Sequence, residues 1–593
     1  MKKTNPTAFP GLERPDDDRR FPWWTVFAAA FAVRAVLNAA FFLRNGWQAS
    51  HLIEIWYYYG VAGGSERLSP FDPTFWLLRF PGLFFGGAPL YAAVVLTGVL
   101  LSSLTALLVA VWVGRCAGRE SGWWAGLVFA FLPAPLTLCL ANFSHDLAGL
   151  PLTLVFLGAV AAWERGGSRL FWGATAVLAL GAGLMVGPLA AGGLLAALLY
   201  VPARALGRSS RRRFGPFLYF AGLVLLLAGL GLLFQARLLE WLAPLAARVR
   251  GIDLAAQVRI GVGDLQPFPP NGLWNRYGLF LFLVPWGLYR SAARREFFPA
   301  VVALTAAAVA FAVNRGARLL DPALAALAGV ALAGIGLGPG LAAAAAGLGF
   351  VALNLLAPSA ASFLGLEMPF AAVFFAGGPS LASLWATRIQ AAAAPVWVWF
   401  FFLPRRAWRY AWFLVPAALS AFWCWSTAGT SSSQVEYELY RSLAPLTRPG
   451  EVIFAPWNQG FFIRAVTSLR PLTTPERIDV DVNRVYWLDE DSAWRRLRER
   501  GVDLLEINTR CFAVTAVDPL HDRFAIRGNT VIGPQPAHIR KLSDLKKTLL
   551  YRLNYEPASL TSFYPIAERF DPGEGVGARV FRVRPAGEGA VFP

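Results

Sequence analysis

Apolar runs long enough to cross about 30 Å of hydrocarbon recur along residues 1–426. A run of this kind must satisfy its backbone hydrogen bonds internally, because lipid offers no partners. A chain that repeats the pattern folds as a bundle of membrane helices. Thirteen crossings are predicted, at 24–43, 89–114, 122–140, 147–163, 170–185, 188–204, 216–237, 276–290, 298–314, 321–337, 340–357, 390–403 and 408–426. With 56% hydrophobic and 15% charged residues, a chain of 593 residues lacks the charge to cover a soluble surface. A soluble enzyme and a disordered chain are excluded as descriptions of the whole.

The net charge of +18 comes from 54 basic and 36 acidic residues, and only five of the basic residues are lysines. Such an excess in a soluble protein points to nucleic acid. Here the arginines cluster between apolar runs: Arg115 and Arg119, Arg165 and Arg169, Arg204 to Arg213, Arg290 to Arg295, and Arg405 to Arg409. These loops alternate with arginine-poor ones and share a side with Lys2 and Lys3, so that side is predicted to be cytoplasmic, with no nucleic-acid partner. Residues 1–20 are polar and lack the apolar core of a signal peptide, so the first run should be a retained helix. The expectation is a multi-pass protein of the cytoplasmic (inner) membrane, surrounded by membrane lipids. An odd number of crossings places everything after Thr427 outside the cytoplasm. Cys116, Cys139, Cys424 and Cys511 show no CxxC spacing and imply no disulfide framework or zinc motif.

Composition changes after Ser426. Residues 1–426 read as the membrane domain, 427–433 as a polar linker, and 434–593 as an extracytoplasmic α/β domain. Strands are predicted at Glu451–Ala455, Val502–Ile507 and Arg579–Val583, and a helix at Asp491–Arg500 that ends at Gly501. No internal repeat is evident, which gives an inverted-repeat transporter no support.

The acids that could do chemistry lie in predicted outer loops. Glu54, in SHLIEIWYYYG, stands among aromatics suited to helices lying in the interface, with Arg34 nearby in sequence. A solvated loop glutamate is the plainer reading. His145 and Asp146 occupy a short turn between apolar runs, where a carboxylate cannot move far from the membrane surface. The plainer role for Asp146 is to cap the following helix. Together Glu54 and Asp146 could supply a general base, or hold a divalent cation through oxygen ligands. Arg315, Arg318 and Asp321 share another short outer turn, where arginine suits a donor phosphate; the alternative is an Arg318–Asp321 pair anchoring the helix start.

Assembled in this order, the residues resemble the C-type glycosyltransferase (GT-C) superfamily, and most of all the catalytic subunit of oligosaccharyltransferase. A carboxylate in a long first outer loop matches Glu54, and an acidic motif in the next outer loop matches Asp146, with Ala148 where that motif has its second acid. The soluble-domain motif WWDxG corresponds to Pro456-Trp457-Asn458-Gln459-Gly460. DSAWRRLRERGVDLLEI and KKTLLYRLNYEPASLTSFYPIAERF also resemble that domain, whereas RLLDPALAAL resembles protein O-mannosyltransferases and lipid A aminoarabinose transferases. The resemblance implies a polytopic helical membrane fold with an outer α/β domain. It implies transfer of a sugar or oligosaccharide from a polyprenyl-(pyro)phosphate donor to a protein, lipid or glycan acceptor. Glu54 and Asp146 would be catalytic, Asp146 would hold Mg²⁺ or Mn²⁺ with His145 substituting for the acid lost at Ala148, Arg315 and Arg318 would bind the donor phosphate, and Trp457 and Asn458 would contact the acceptor. A lipid-linked-sugar transporter would instead carry ionisable residues inside its helices. A non-enzymatic membrane scaffold would tolerate loss of Glu54.

Overall fold

The computed structural model describes residues 22–46, 54–66, 68, 70–165, 168–187, 189–209, 276–294, 296–312, 317–334, 405–427, 433–456, 459–474, 484–508, 525–527, 530–532, 542–571 and 576–585. The helical half begins with α1 (Trp23–Asn45), α2 (Glu54–Gly63), α3 (Pro73–Gly82), α4 (Gly87–Ala117), α5 (Arg119–Phe131) and α6 (Pro133–Leu138). It continues through α7 (His145–Glu164), α8 (Arg169–Val186), α9 (Leu189–Ser209), α10 (Val284–Arg294), α11 (Phe297–Ala312), α12 (Ala317–Leu332) and α13 (Arg405–Thr427). Four helices among the described residues, α1, α4, α7 and α8, are long and apolar enough to cross a membrane. Shorter apolar helices lie within α9, α11 and α13. The predicted crossings at 216–237, 340–357 and 390–403 fall outside the described residues.

One predicted crossing is corrected. The run 122–140 is not a single helix but α5 and α6, separated at Leu132. Pro133 forces the residue before it out of the helical region, and Leu132 is extended at φ −62°, ψ 137°. Similarly, the run 276–290 enters α10 through a tighter 3-10 segment, Gly278–Leu283. At the centre of the bundle, every residue of α12 is buried except the half-buried Arg318. Its Gly329 lies against the Ala125 backbone of α5, so a side chain there has no room.

The remaining residues build a sheet with helices on both faces. They form α14 (Ser433–Leu443), β1 (Val452–Phe454), α15 (Gly460–Val466), β2 (Arg470–Pro471), α16 (Glu490–Glu499) and β3 (Leu504–Asn508). A two-stranded hairpin follows, β4 (Ala525–Arg527) and β5 (Thr530–Ile532), then α17 (Leu542–Lys546), α18 (Leu549–Tyr555), β6 (Phe563–Asp571) and β7 (Val576–Val583). The five-stranded sheet has the order β2-β1-β3-β7-β6, parallel at β1 with both neighbours and antiparallel from β3 onward. Alternation along each strand divides the core. Ile453, Leu504, Ala578 and Val580 pack with α14, α15 and α2, whereas Phe454, Leu505, Ile507 and Phe581 pack with α16 and α18.

The contact that matters for the site is α2 against α15. Trp56, 3% exposed, stacks on Phe462 with ring centres 4.6 Å apart and planes 14° from parallel. Its other faces meet Tyr91 of α4 at 5.2 Å and Tyr437 of α14 at 6.1 Å. Glu66, just after α2, accepts from Arg464 Nη1 of α15 at 2.7 Å. The loop between α1 and α4 is thereby fixed to the sheet half of the chain.

Candidate active site

The acidic turn before α7 is shaped from two sides. Asn38 of α1 accepts from the Ala141 N–H at 2.6 Å and donates to the Cys139 carbonyl at 3.2 Å. These bonds hold Ala141 in the left-handed region, at φ 43°, which a residue with a side chain rarely adopts. On the other side, Gly98 of α4 lets the Asn142 carbonyl approach: a Cβ at position 98 would lie 2.7 Å from it. The chain then enters α7 with Ser144 at the position before the helix. Asp146 is therefore not the cap but the second helical residue, where the exposed N–H groups of the first turn still favour a carboxylate.

Asp146 is 5% exposed and sits between two nitrogen groups. Its Oδ1 is 3.4 Å from His145 Nε2, and its Oδ2 is 3.5 Å from Arg318 Nε. The structure thus joins three residues predicted for the site from two separate loops. A cavity beside them is lined by Ser102, Thr105, Leu138, Asp146, Arg318 and Asp321. The alternative Arg318–Asp321 pair is not the arrangement found. Asp321 instead takes a fork from Arg276, with Nη2 at 2.9 and 3.1 Å and Nε at 3.2 Å. Arg318 faces the Asp146 carboxylate.

Two contributors escaped sequence reading. Arg276 was counted as the start of a membrane run, although a buried acid such as Asp321 demands a cation. Tyr58 of α2 places its hydroxyl 3.0 Å from His145 Nδ1. Its helical spacing with Ile55 and Ala62 marks a buried face of α2, and all three are buried. Arg34 serves a different purpose from the setting for Glu54 that was expected. It is fully buried and donates to Ser102 Oγ at 2.8 Å and to the Ala30 and Ala130 carbonyls at 3.1 Å each. Ala130 is one of the last residues of α5, whose carbonyls have no partner within the helix.

Glu54 is the first residue of α2, and its side chain lies outside the described residues, as do Arg315, Trp457 and Asn458. The next residues are described: Gln459 is buried and donates to Glu436 Oε1 at 2.9 Å, and α15 follows at once. As donors toward a divalent cation, the described site offers the Asp146 carboxylate and the His145 imidazole. No group of three or more His, Cys, Asp or Glu residues arranged for a metal occurs among the described residues. Two donors fall short of the six or so oxygens that Mg²⁺ takes, so these residues do not by themselves hold the ion.

The fold is shared with an archaeal oligosaccharyltransferase and with ArnT, both of solved structure. The chain is similar in structure to the oligosaccharyltransferase of Archaeoglobus fulgidus tethered to an acceptor peptide containing the NVT sequon, with TM-score 0.54 and 15% identity over 94% of this chain and 80% of that one. It is likewise similar to the same enzyme in complex with zinc and sulfate, with TM-score 0.51 and 14% identity over 93% of this chain and 79% of that one. ArnT of Cupriavidus metallidurans bound to undecaprenyl phosphate gives TM-score 0.50 and 13% identity, over 83% of this chain and 94% of that one. No protein-family model matches the sequence, and no curated protein matches it.

Proposed function

We propose that this chain is a membrane glycosyltransferase that moves a sugar or oligosaccharide from a polyprenyl-(pyro)phosphate donor to an acceptor on the outer face of the membrane, in the manner of oligosaccharyltransferase. The observation that carries the reading is the joining of Asp146, His145 and Arg318 beside a cavity between α4, α7 and α12. The neighbours sharing the fold were solved with an acceptor peptide and with undecaprenyl phosphate, which supports a lipid-linked donor. A transporter is disfavoured because these ionisable groups gather at helix ends rather than at mid-helix.

In the proposed reaction, an acceptor nucleophile attacks the anomeric carbon of the donor. The bond from that carbon to the phosphate oxygen breaks, and the phosphate leaves with the electron pair. Glu54 takes the nucleophile's proton or orients it. Arg318 stabilises the charge growing on the phosphate; its Nε lies 3.5 Å from Asp146 Oδ2. Asp146 holds Arg318 in place. Arg315 is assigned to the same phosphate, and Trp457 and Asn458 to the acceptor. Mg²⁺ or Mn²⁺ would need Glu54 or substrate oxygens to complete its ligands. We assign the sheet half, 434–593, to the extracytoplasmic side after the linker 427–433. An acceptor other than a peptide, as for O-mannosyl or aminoarabinose transferases, is the second reading, favoured by the RLLDPALAAL segment now found in α12.

The test is reconstitution of the full chain in vesicles with pooled lipid-linked sugars and profiling of donor and product. Wild type should consume donor, whereas Glu54→Gln and Asp146→Asn should slow consumption about 10²-fold or more. Donor consumption equal to wild type in both variants would overturn the reading. Activity retained after EDTA treatment would remove the metal from it.

A further inference from the structure

We infer that α3 is a membrane-surface helix, lying along the bilayer beside the acidic site with an uncharged aromatic stripe in the lipids of that leaflet. The helix has ten residues and is about 15 Å long, half of what a crossing needs. Trp76 and Phe80, one turn apart, are 63% and 66% exposed, and Leu77, Leu83 and Phe84 extend the same side. Thr74 and Leu78, on the opposite side, are buried. A contiguous patch of five large apolar side chains marks a surface that water does not cover. From Phe71 to Gly87 the sequence holds only two charged residues, Asp72 and Arg79, and both are engaged away from the stripe. Asp72 is buried and accepts from the Thr74 N–H at 2.8 Å. Arg79 Nη1 donates to the Ala62 carbonyl of α2 at 3.3 Å. Gly64, at φ 86°, leaves room for it: a Cβ there would lie 2.7 Å from that nitrogen. Even the Trp76 indole N–H is satisfied within the chain, by the Pro70 carbonyl at 2.9 Å.

The neighbours of α3 say what covers the stripe. The helix packs against α4 and α8, both long and apolar enough to cross a membrane. On α4, Leu96, Leu100 and Leu104 are exposed at four-residue spacing, and on α8 Leu184 and Met185 are exposed in the last turn. Such rows on crossing helices face lipid. The end of α8 is level with the acidic turn, since a Cβ at Gly187 would lie 3.6 Å from His145 Cδ2. Helix α3 thus sits at the ends of two lipid-facing helices, the depth at which aromatic side chains gather in membrane proteins. The aromatics of α2, expected in the interface, are turned to protein instead, with Trp56 stacked on Phe462. The membrane contact of this loop belongs to α3.

The experiment uses the full chain in vesicles of phosphatidylcholine and phosphatidylglycerol, with bimane attached at Trp76→Cys or Phe80→Cys. Both side chains are exposed, so neither substitution opens the core. The native cysteines among the described residues are buried, and the wild-type chain taken through the same labelling supplies the background. Lipids carrying a doxyl quencher at two depths on the acyl chain should quench both labels and place them about 5–10 Å into the boundary between headgroups and acyl chains. Aqueous iodide should quench them less than it quenches a label at Glu568→Cys, a half-exposed position on β6 of the sheet half. Iodide quenching equal to that at position 568, without doxyl quenching, means that the stripe faces water and overturns the inference. Quenching by neither means that protein covers the stripe, either a second copy or another segment of this chain, and overturns it equally. The readout requires no sugar transfer, so failure of the proposed function leaves it intact.

Discussion

Replacing Asp321 by asparagine should destabilise the protein by about 3 kcal/mol, and replacing Arg276 at the same time should recover most of that loss. The carboxylate side chain is 3% exposed, the guanidinium 16%, and their closest atoms are 2.9 Å apart. At an effective dielectric constant of about 20, two unit charges at that distance attract by roughly 6 kcal/mol. Removing both ions from water costs several kcal/mol each, so the intact pair contributes little net stability. Breaking it is another matter. Asp321→Asn leaves the Arg276 guanidinium buried against a neutral amide, and such losses run to about 3–5 kcal/mol, of which the remaining amide oxygen returns about 1 kcal/mol. Arg276→Met alone strands the Asp321 carboxylate in the same way, whereas Arg276→Met combined with Asp321→Asn removes both charges. Denaturant titration of the purified protein in detergent, followed by tryptophan fluorescence, reads the three differences. If the single-variant losses simply add in the double variant, the two residues do not act as one buried pair, and this reasoning is refuted.

Gly98→Val should cost about 1–3 kcal/mol in thermal unfolding and lower transfer, because its Cβ would press on the Asn142 carbonyl from 2.7 Å and shift the acidic turn; an unchanged Tm would show that the turn can yield. Trp56→Ala removes a buried indole stacked on Phe462 and should cost about 3–5 kcal/mol, with faster protease release of the C-terminal segment; wild-type release rates would mean that α2 does not hold that segment. Asp489 accepts from the Ser492 N–H at 3.0 Å at the start of α16, and that bond holds its carboxyl below the usual carboxylate range. Its stabilisation is present above the unfolded pKa of about 3.9 and is lost as pH falls through the lower folded value. Asp489→Ala should therefore cost about 1 kcal/mol at pH 7 and progressively less as the medium is acidified below pH 4; a loss that does not change with pH would exclude the carboxylate as its origin.

Helices α1, α4, α7 and α8 were legible because lipid imposes a simple rule of length and apolarity on each crossing. The break at Leu132 was missed, because apolar periodicity runs straight through it, although Pro133 marks it. Among the site residues, His145 and Asp146 were readable as acid and imidazole stranded in a short turn. Arg318 was readable as a cation in an arginine-poor loop, but its partner was not. Sequence proximity favoured Asp321, three residues away, whereas the fold brings Asp146 to it from another helix. Tyr58 and His145 are 87 positions apart, and Arg276 and Asp321 are 45 apart. Nothing local specifies such pairs; they follow from how α2, α7 and α12 pack. In the sheet half, β1, α16 and β3 formed within a residue or two of expectation, because their alternation and caps are local signals.

The hydrogen bonds of Arg34 also set a timetable for biogenesis. Helix α1 is apolar enough to enter the bilayer, with a mean hydropathy of 2.0, yet a central arginine opposes insertion by about 2.5–3.5 kcal/mol. Its acceptors outside α1, Ser102 and the Ala130 carbonyl, lie 68 and 96 residues further along the chain. At about 5–20 residues per second, the ribosome needs on the order of 5–20 s to deliver the second of them. During that interval the arginine in α1 must be sheltered by the insertion machinery or by water drawn into the membrane. Nascent chains halted before residue 130 should therefore remain bound to the insertion machinery, and chains halted after α5 should leave it.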